Sequence, residues 1–367
     1  MNLSSADREY MAQALRLAEQ GLYSADPNPR VGCLLVKDQQ VVGRGFHQKT
    51  GEAHAEIHAL KEAGGRARGA SAYVTLEPCA HTGRTGPCAD ALVNAGVTRV
   101  IAAMQDPNPL VAGKGFERLR AAGVATAMGL MESQARALNP GFVSRMSRGR
   151  PWVRTKLAVS LDGRTALANG TSKWISGAAA REDAQRWRAR SSAILTGIGT
   201  LLADDPALTV RLGGDWRQPM RVILDSALRT PTSARVLQQP GRTVIATLAQ
   251  DTGLHARMIA AGAHLEVLSS SHGRIDLAQL MARLVELECN ELLVEAGPSL
   301  NGALLREGLV DEFIIYMAPM ILGDTARGMF QLPALAALDE SIGLQLTEVS
   351  WLGRDIRILA TPAKAAG

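Results

Sequence analysis

The chain has 367 residues, about two domains' worth, and its 46% hydrophobic and 20% charged residues describe a globular protein able to bury real cores. A net charge of +5, with Lys and Arg scattered rather than massed, fits anionic small molecules and argues against a nucleic-acid track. Four cysteines argue against a disulfide framework and for a reducing cytosol. The N-terminus lacks a signal pattern and no apolar run reaches membrane-spanning length, so no membrane partner and a cytoplasmic location are expected.

Ser5 or Asp7 is the candidate cap of a first helix, with Met11, Leu15, Ala18 and Leu22 at helical spacing and the D-P-N-P turn at 26–29 ending it. Strand-like runs cover 31–36 and 41–46, followed by a helix carrying His54 and Glu56. A strand over 71–76, a helix from Cys88 to Ala95, a strand over 98–104, a helix over 115–122 and a strand at 124–128 complete the first half. This alternation predicts a sheet with helices on both faces and ligands at the strand ends. Cys33, inside an apolar strand, is expected to be a buried small hydrophobe. His47 reads equally as a ligand contact or a loop histidine, and Asn28, between prolines, as a turn residue or a carboxamide for a heterocycle edge.

The stretch from His54 to Cys88 carries the strongest chemistry. H-A-E-I-H-A-L begins at His54, and Pro-Cys pairs follow at Cys79 and Cys88. One imidazole and two thiolates are three ligands for a tetrahedral zinc that keeps a position for water, and Glu56 is placed to move protons. Glu56 lies two residues from His54, so the two do not share a helix face, and Glu56 is a poor fourth ligand. A metalloprotease needs Glu directly after the first His, which excludes that reading. Proline before each cysteine places both sulfurs at helical first turns, where thiolate is favoured. A structural clip closed by His58 or His81 stays open. Eight residues separate the cysteines, where the general deaminase signature has two.

The segment from Gly141 to Arg150, rich in glycine, serine and arginine, reads as a linker, which sets domains at 1–147 and 148–367. Beyond it come a strand over 152–160, a helix over 178–189, and strands over 193–196, 221–226 and 243–247. A helix at 254–261, a strand at 264–268, a helix at 276–287, a strand at 291–295, and final strands at 312–317 and 344–359 follow. Two glycine turns stand out, T-G-I-G-T from Thr196 and E-A-G-P-S-L-N-G from Glu295. Neither is a dinucleotide fingerprint, and each alone is more often a tight strand-to-helix turn. The residues themselves give an α/β domain with a phosphate site at the second turn.

With H-A-E, P-C-x8-C and A-M-Q-D-P-N-P-L-V-A-G-K-G from Ala103, the first half resembles the deaminase domain of the bifunctional riboflavin-biosynthesis deaminase–reductase family. K-L-A-x-S-L-D-G-R from Lys156, S-x-W-I from Ser172, L-L-A-D-D-P-x-L-T-V-R from Leu201 and V-E-A-G-P-x-L from Val294 resemble its reductase half. The resemblance implies a cytidine-deaminase-like three-layer α/β/α domain followed by a dihydrofolate-reductase-like α/β domain. It implies zinc-dependent deamination of 2,5-diamino-6-ribosylamino-4(3H)-pyrimidinone 5′-phosphate. NADPH-dependent reduction of the ribosyl group to ribityl follows from it for the second half.

By position, His54, Cys79 and Cys88 would bind zinc, Glu56 would catalyse, and Asn28, His47, His81 and Arg84 would contact the pyrimidine ribotide. Many relatives have Lys at the position of Arg84, and the two cations differ in geometry. Ala158, Trp174, Thr200, Asp204, Ser226, Gly297, Pro298, Ser299, Leu300, Asn301, Gly302 and Ala303 would line the NADPH site. Ser172, Arg188, Leu208, Arg211 and Glu295 would line the reductase substrate site, with the two arginines toward its phosphate. Lys156 would polarise the opened sugar or pair with a carboxylate. Trp174 reads otherwise as core, Ser172 as a helix cap, Arg188 as a solvated helix residue and Arg211 as a surface charge. A homo-oligomer is expected. The rivals are a nucleotide or tRNA deaminase with an unrelated second domain and a zinc-stabilised ribotide-binding protein without turnover.

Overall fold

The computed structural model describes residues 3–80, 86–109 and 111–363. The chain divides into two compact units, Met1–Arg150 and Pro151–Gly367. The first contains, in order, α1 (Ser5–Glu19), β1 (Gly32–Lys37), β2 (Gln40–Phe46), α2 (Ala55–Ala63), β3 (Ser71–Val74) and α3 (Cys88–Asn94). It continues with β4 (Arg99–Ala102), α4 (Lys114–Ala121), β5 (Ala125–Met128), α5 (Glu132–Leu138) and α6 (Pro140–Arg148).

Its sheet has the order β2-β1-β3-β4-β5, antiparallel through β3 and parallel beyond. Side chains alternate across it. Cys33 and Leu35 enter one core with Ala59 and Leu92, while Leu34 and Val36 enter the other with Met11 and Ala14. Helices lie close because the strands offer glycine where they cross. A Cβ on Gly32 would meet the Ala14 carbonyl oxygen of α1 at 2.0 Å. On the opposite face, one on Gly45 would meet the Ala55 oxygen of α2 at 2.1 Å. The start of α2, where His54 and Glu56 sit, is therefore clamped onto β2.

Two local expectations change. The cap of α1 is Ser4, one residue before Ser5, and Asp7 is the reciprocal partner of a capping box. Asp7 also accepts from Tyr73 Oη at 2.6 Å and from Arg99, which ties α1 to the sheet. Residues 141–148, within the 141–150 segment read as linker, belong to α6, with Pro140 at its start and Gly149 in the left-handed conformation at its end. Phe142, Val143 and Met146 pack that helix into the first unit's core. The expected boundary at 147 and 148 falls inside α6.

The second unit holds β6 (Trp152–Ser160), β7 (Arg164–Ala166), α7 (Ala178–Arg190), β8 (Ala193–Gly197), α8 (Ile198–Asp204), β9 (Met220–Leu224), β10 (Thr243–Thr247) and α9 (Thr252–Ala260). Then come β11 (Ala263–Val267), β12 (Ser270–Ser271), β13 (Arg274–Ile275), α10 (Leu277–Glu286), β14 (Glu291–Val294) and α11 (Pro298–Arg306). The last elements are β15 (Glu312–Ala318), β16 (Arg327–Gly328), β17 (Leu344–Leu352) and β18 (Asp355–Pro362). The expected strand over 344–359 is thus a hairpin, turned at Gly353 with φ 63°.

The main sheet of this unit has the order β11-β10-β9-β8-β14-β6-β15-β18-β17, parallel as far as β15 and antiparallel for the last two pairs. β14, buried on both faces, lies between β8 and β6. The carboxyl ends of these three adjacent parallel strands deliver Glu295, Gly197 and the Lys156–Ser160 stretch to one edge, the usual place for a ligand crevice in such sheets.

Candidate active sites

His54 is the N-cap of α2, in extended conformation (φ −74°, ψ 164°), so its ring hangs off the helix start. Its Nδ1 lies 3.2 Å from Cys88 Sγ and 3.6 Å from Cys79 Sγ. Zinc bonds of about 2.1 Å to nitrogen and about 2.3 Å to sulfur set tetrahedral ligand atoms about 3.5 Å apart, so the spacing fits. Among the described residues, His54, Cys79 and Cys88 are the cluster of His, Cys, Asp and Glu with donor atoms mutually within 4.8 Å, and His58 is outside it. That removes His58 as the closing ligand of a structural clip. His81 and Arg84 lie outside the described residues.

The two cysteines reach the cluster differently from expectation. Cys88 is the first residue of α3, whereas Cys79 sits in the irregular segment after β3. The α3 start still serves Cys79, because the Cys88 amide donates to Cys79 Sγ at 3.4 Å. Hydrogen bonding between the two sulfurs, with His54 contributing, favours a thiolate at Cys79 and opposes a second one at Cys88. A soft divalent cation satisfies all three donors together.

Glu56, in the first turn of α2, is buried. Burial pushes its carboxyl up to about 7, opposed by His54 and supported by the Cys79 charge. A carboxyl poised near neutrality exchanges protons readily in both directions. His47 is buried with its ring edge-on to His54 at 5.5 Å. Its Nδ1 faces the Ala53 carbonyl at 3.2 Å and its Nε2 faces Asn28 Nδ2 at 3.0 Å. The solvated-loop alternative for His47 therefore fails, and Asn28 and His47 form one hydrogen-bonded pair beside the cluster.

The second unit contains an open cleft of about 1430 Å³ at the carboxyl edge of its parallel strands. Ala158, Trp174, Thr200, Asp204 and Ser226 line it, as do Gly297, Pro298, Ser299, Leu300 and Ala303. Asn301 and Gly302, expected with them, do not line it. Asn301 is buried and donates to the Ala296 carbonyl at 3.0 Å, pinning the turn from behind. Gly302 lies against backbone, since a Cβ there would meet the Gln331 oxygen at 2.2 Å. Trp174 is 66% exposed, which excludes it as core, and the Arg181 guanidinium stacks on its ring at 4.9 Å. The cap of α7 is Gly177, so Ser172 does not cap that helix.

Lys156, Ser172, Arg188, Leu208, Arg211 and Glu295 also face the cleft. Arg188 is not a solvated helix residue. It grips Glu295 with two bonds, Nε to Oε1 at 2.6 Å and an Nη to Oε2 at 2.8 Å, and gives its other Nη to the Thr209 carbonyl at 2.9 Å. Burial by itself raises the Glu295 pKa, but Arg188, with Lys156 and Arg211, brings it down to about 2. Arg188 thus holds Glu295 at the cleft wall, and Arg211 is one of several exposed cations presented to the cleft. Burial lowers the pKa of Lys156 while Glu295 opposes, and its ammonium lies 5.9 Å from the Tyr316 ring centre.

Sequence reasoning missed Arg181, the Lys173–Asp204 pair at 3.5 Å, and Glu77, which precedes the first Pro-Cys pair. The only signal for Glu77 was a carboxylate ending a buried-type strand.

Comparison with known proteins gives each unit a class. Residues 4–104 match the family model for the cytidine and deoxycytidylate deaminase zinc-binding region, and residues 151–358 match the RibD C-terminal domain. A deaminase-type zinc domain followed by a reductase domain defines a fused deaminase–reductase. The chain is 49% identical over 362 residues to the riboflavin biosynthesis protein RibD of Escherichia coli K12, covering 95% of this chain and 98% of that protein. It is 48% identical to that of Haemophilus influenzae, covering 99% of both. Acinetobacter baumannii RibD superposes with a TM-score of 0.92 at 46% identity, covering 98% of this chain and 99% of that one. The diaminohydroxyphosphoribosylaminopyrimidine deaminase/5-amino-6-(5-phosphoribosylamino)uracil reductase of Thermotoga maritima does so with a TM-score of 0.85 at 30% identity, over the same shares. The chain belongs to the RibD family, the bifunctional deaminase–reductases of riboflavin biosynthesis. This removes the rivals with an unrelated second domain or without turnover.

Proposed function

We propose that the unit Met1–Arg150 hydrolytically deaminates 2,5-diamino-6-ribosylamino-4(3H)-pyrimidinone 5′-phosphate. The unit Pro151–Gly367 then reduces the ribosyl group of 5-amino-6-(5-phosphoribosylamino)uracil to ribityl with NADPH. The observation that carries the deaminase reading is the convergence of His54 Nδ1 and the two sulfurs, with a buried carboxyl beside them.

His54, Cys79 and Cys88 would hold zinc, which when bound supplies Lewis-acid activation of water. Glu56 accepts a proton as water adds to the amine-bearing ring carbon, and returns it to the departing nitrogen, so that water enters and ammonia leaves. Asn28 and His47 position the ring, with His81 and Arg84 as the further expected contacts.

In the second unit the cleft exceeds the roughly 300–1,000 Å³ of a single drug-sized site, in keeping with two ligands together. NADPH when bound supplies the hydride equivalent. Ala158, Trp174, Thr200, Asp204, Ser226 and the turn at 297–300 would hold it, with the amides at the start of α11 suited to its phosphates. Ser172, Arg188 and Leu208 would border the ribotide, Arg211 would take its phosphate, and Glu295, fixed by Arg188, would oppose the burial that lowers the Lys156 pKa beside the sugar oxygen. No helix among the described residues is long and apolar enough to cross a membrane, and the four cysteines, which stand as thiols rather than disulfides, fit the reducing setting of the cytoplasm. Exposed Leu346, Val349 and Trp351 on the edge strand β17 support a homo-oligomer.

The test supplies the diamino ribotide with NADPH and follows ammonia and NADPH absorbance together. Ammonia release preceding NADPH oxidation supports the proposal. NADPH oxidation with no ammonia, or neither signal, contradicts it.

A further inference from the structure

Glu77 stands two residues before Cys79 and is only 3% exposed. Its carboxylate accepts four backbone amides. Oε2 takes Asp106 at 3.2 Å and Gly113 at 3.0 Å, and Oε1 takes Gly115 at 2.9 Å and Phe116 at 3.3 Å. These donors belong to the segment after β4 and the first turn of α4, where free helix amides favour an anion. One of these donors, Gly115, has no room for a side chain: a Cβ there would meet the Pro78 carbonyl oxygen at 1.9 Å, so α4 rests directly on the Pro-Cys backbone. One turn on, Arg118 donates to the Ala80 carbonyl at 3.3 Å and to Asp90 of α3 at 2.6 Å. α4 thus holds the chain at 77, 78 and 80, on both sides of Cys79, and also holds the helix that begins with Cys88. The two cysteine segments are joined further by the Ala89 amide on the Cys79 carbonyl at 3.2 Å.

We infer that Glu77 is a positioning residue for the metal site, and that Arg118 supports it from the solvent side. The buried carboxylate, touching none of the three donor side chains, fixes where the Cys79 and Cys88 sulfurs stand and so sets the affinity for the ion. A carboxylate is required because it meets all four amides with acceptor oxygens. In Glu77→Gln one oxygen becomes an NH₂ group that faces two N–H donors, and the loop must move away from the Pro-Cys segment. The inference rests on the zinc reading above.

The experiment uses the full chain as wild type, Glu77→Gln and Arg118→Met. Zinc affinity is measured by competition with a chromophoric chelator, and the cobalt-loaded forms are compared by absorption. Glu77→Gln is expected to bind zinc about 10–100-fold more weakly, the range typical for loss of a group supporting a metal ligand, with altered cobalt bands. Arg118→Met, whose native side chain is 48% exposed and whose loss leaves the core intact, is expected to weaken zinc by a smaller factor. A folded Glu77→Gln with wild-type affinity and cobalt spectrum overturns the inference. If that variant does not fold, wild-type affinity in Arg118→Met overturns it. A wild-type chain that binds no zinc removes the metal site itself, an outcome distinct from equal binding by all three proteins.

Discussion

Replacing Glu295 by Gln tests the electrostatic frame of the reductase cleft. The pair with Arg188 is largely shielded, with side chains 10% and 14% exposed, and with the carboxylate replaced by an amide Arg188 keeps the Thr209 carbonyl and at most one neutral oxygen while losing its counter-charge. The fall of the Glu295 pKa from 4.5 to about 2 corresponds to about 3 kcal/mol at neutral pH. Breaking a buried pair by removing one partner costs about 3–5 kcal/mol, so the two routes agree at the lower end. For a unit of this size that lowers the melting temperature by about 6–12 °C. All five tryptophans (Trp152, Trp174, Trp187, Trp216 and Trp351) lie in the second unit, so tryptophan emission during heating follows that unit alone. The sign with pH is fixed. The folded pKa lies below the unfolded one, so the stabilisation is complete above about 4.5 and is lost as pH falls from there toward 2. The gap between wild type and variant should be constant from about pH 8 to 5 and narrow below 4.5. Equal melting temperatures at neutral pH, or a gap unchanged at about pH 3, would refute the reasoning.

Arg211→Ala should raise the KM of the reductase for its ribotide by about 10–100-fold, the loss of one or two charge-assisted bonds to phosphate, with Arg211→Lys intermediate. An unchanged KM would assign the phosphate to another cation. Gly45→Ala forces a Cβ to within 2.1 Å of the Ala55 oxygen, at a cost of about 1–3 kcal/mol. Thermal loss of deaminase activity should come several degrees earlier in that variant while the tryptophan transition stays put, and coincidence with wild type would show that α2 can slide.

What was legible in the chain was local. His54, Glu56 and the Pro-Cys pairs announce a metal site through residue type and spacing, and apolar runs such as Glu291–Val294 announce buried strands before a glycine turn. What was hidden depends on distant partners. Arg188 meets Glu295 across 107 positions, a pairing that fixes the carboxylate at the cleft wall and that no local pattern announces. Glu77 meets its amides 29 to 39 positions later, and no strand-end glutamate advertises that. Residues 140–148 concealed a helix because serine, glycine and arginine outweighed Phe142, Val143 and Met146 in the reading, while the first unit's core weighs only those three. Asn301 and Gly302 share a motif with cleft residues, but helical rotation carries them to the packed side of α11.

The central claim is that a metal held by His54, Cys79 and Cys88 works together with the Glu56 carboxylate. The direct measurement is zinc content and ammonia release for wild type and Glu56→Gln with the diamino ribotide. The account predicts one zinc per chain in both proteins and ammonia release reduced by about 10²–10⁴-fold in the variant, the usual reach of a general acid–base group. Equal rates in the two proteins, or a wild type that releases ammonia without metal, would contradict it.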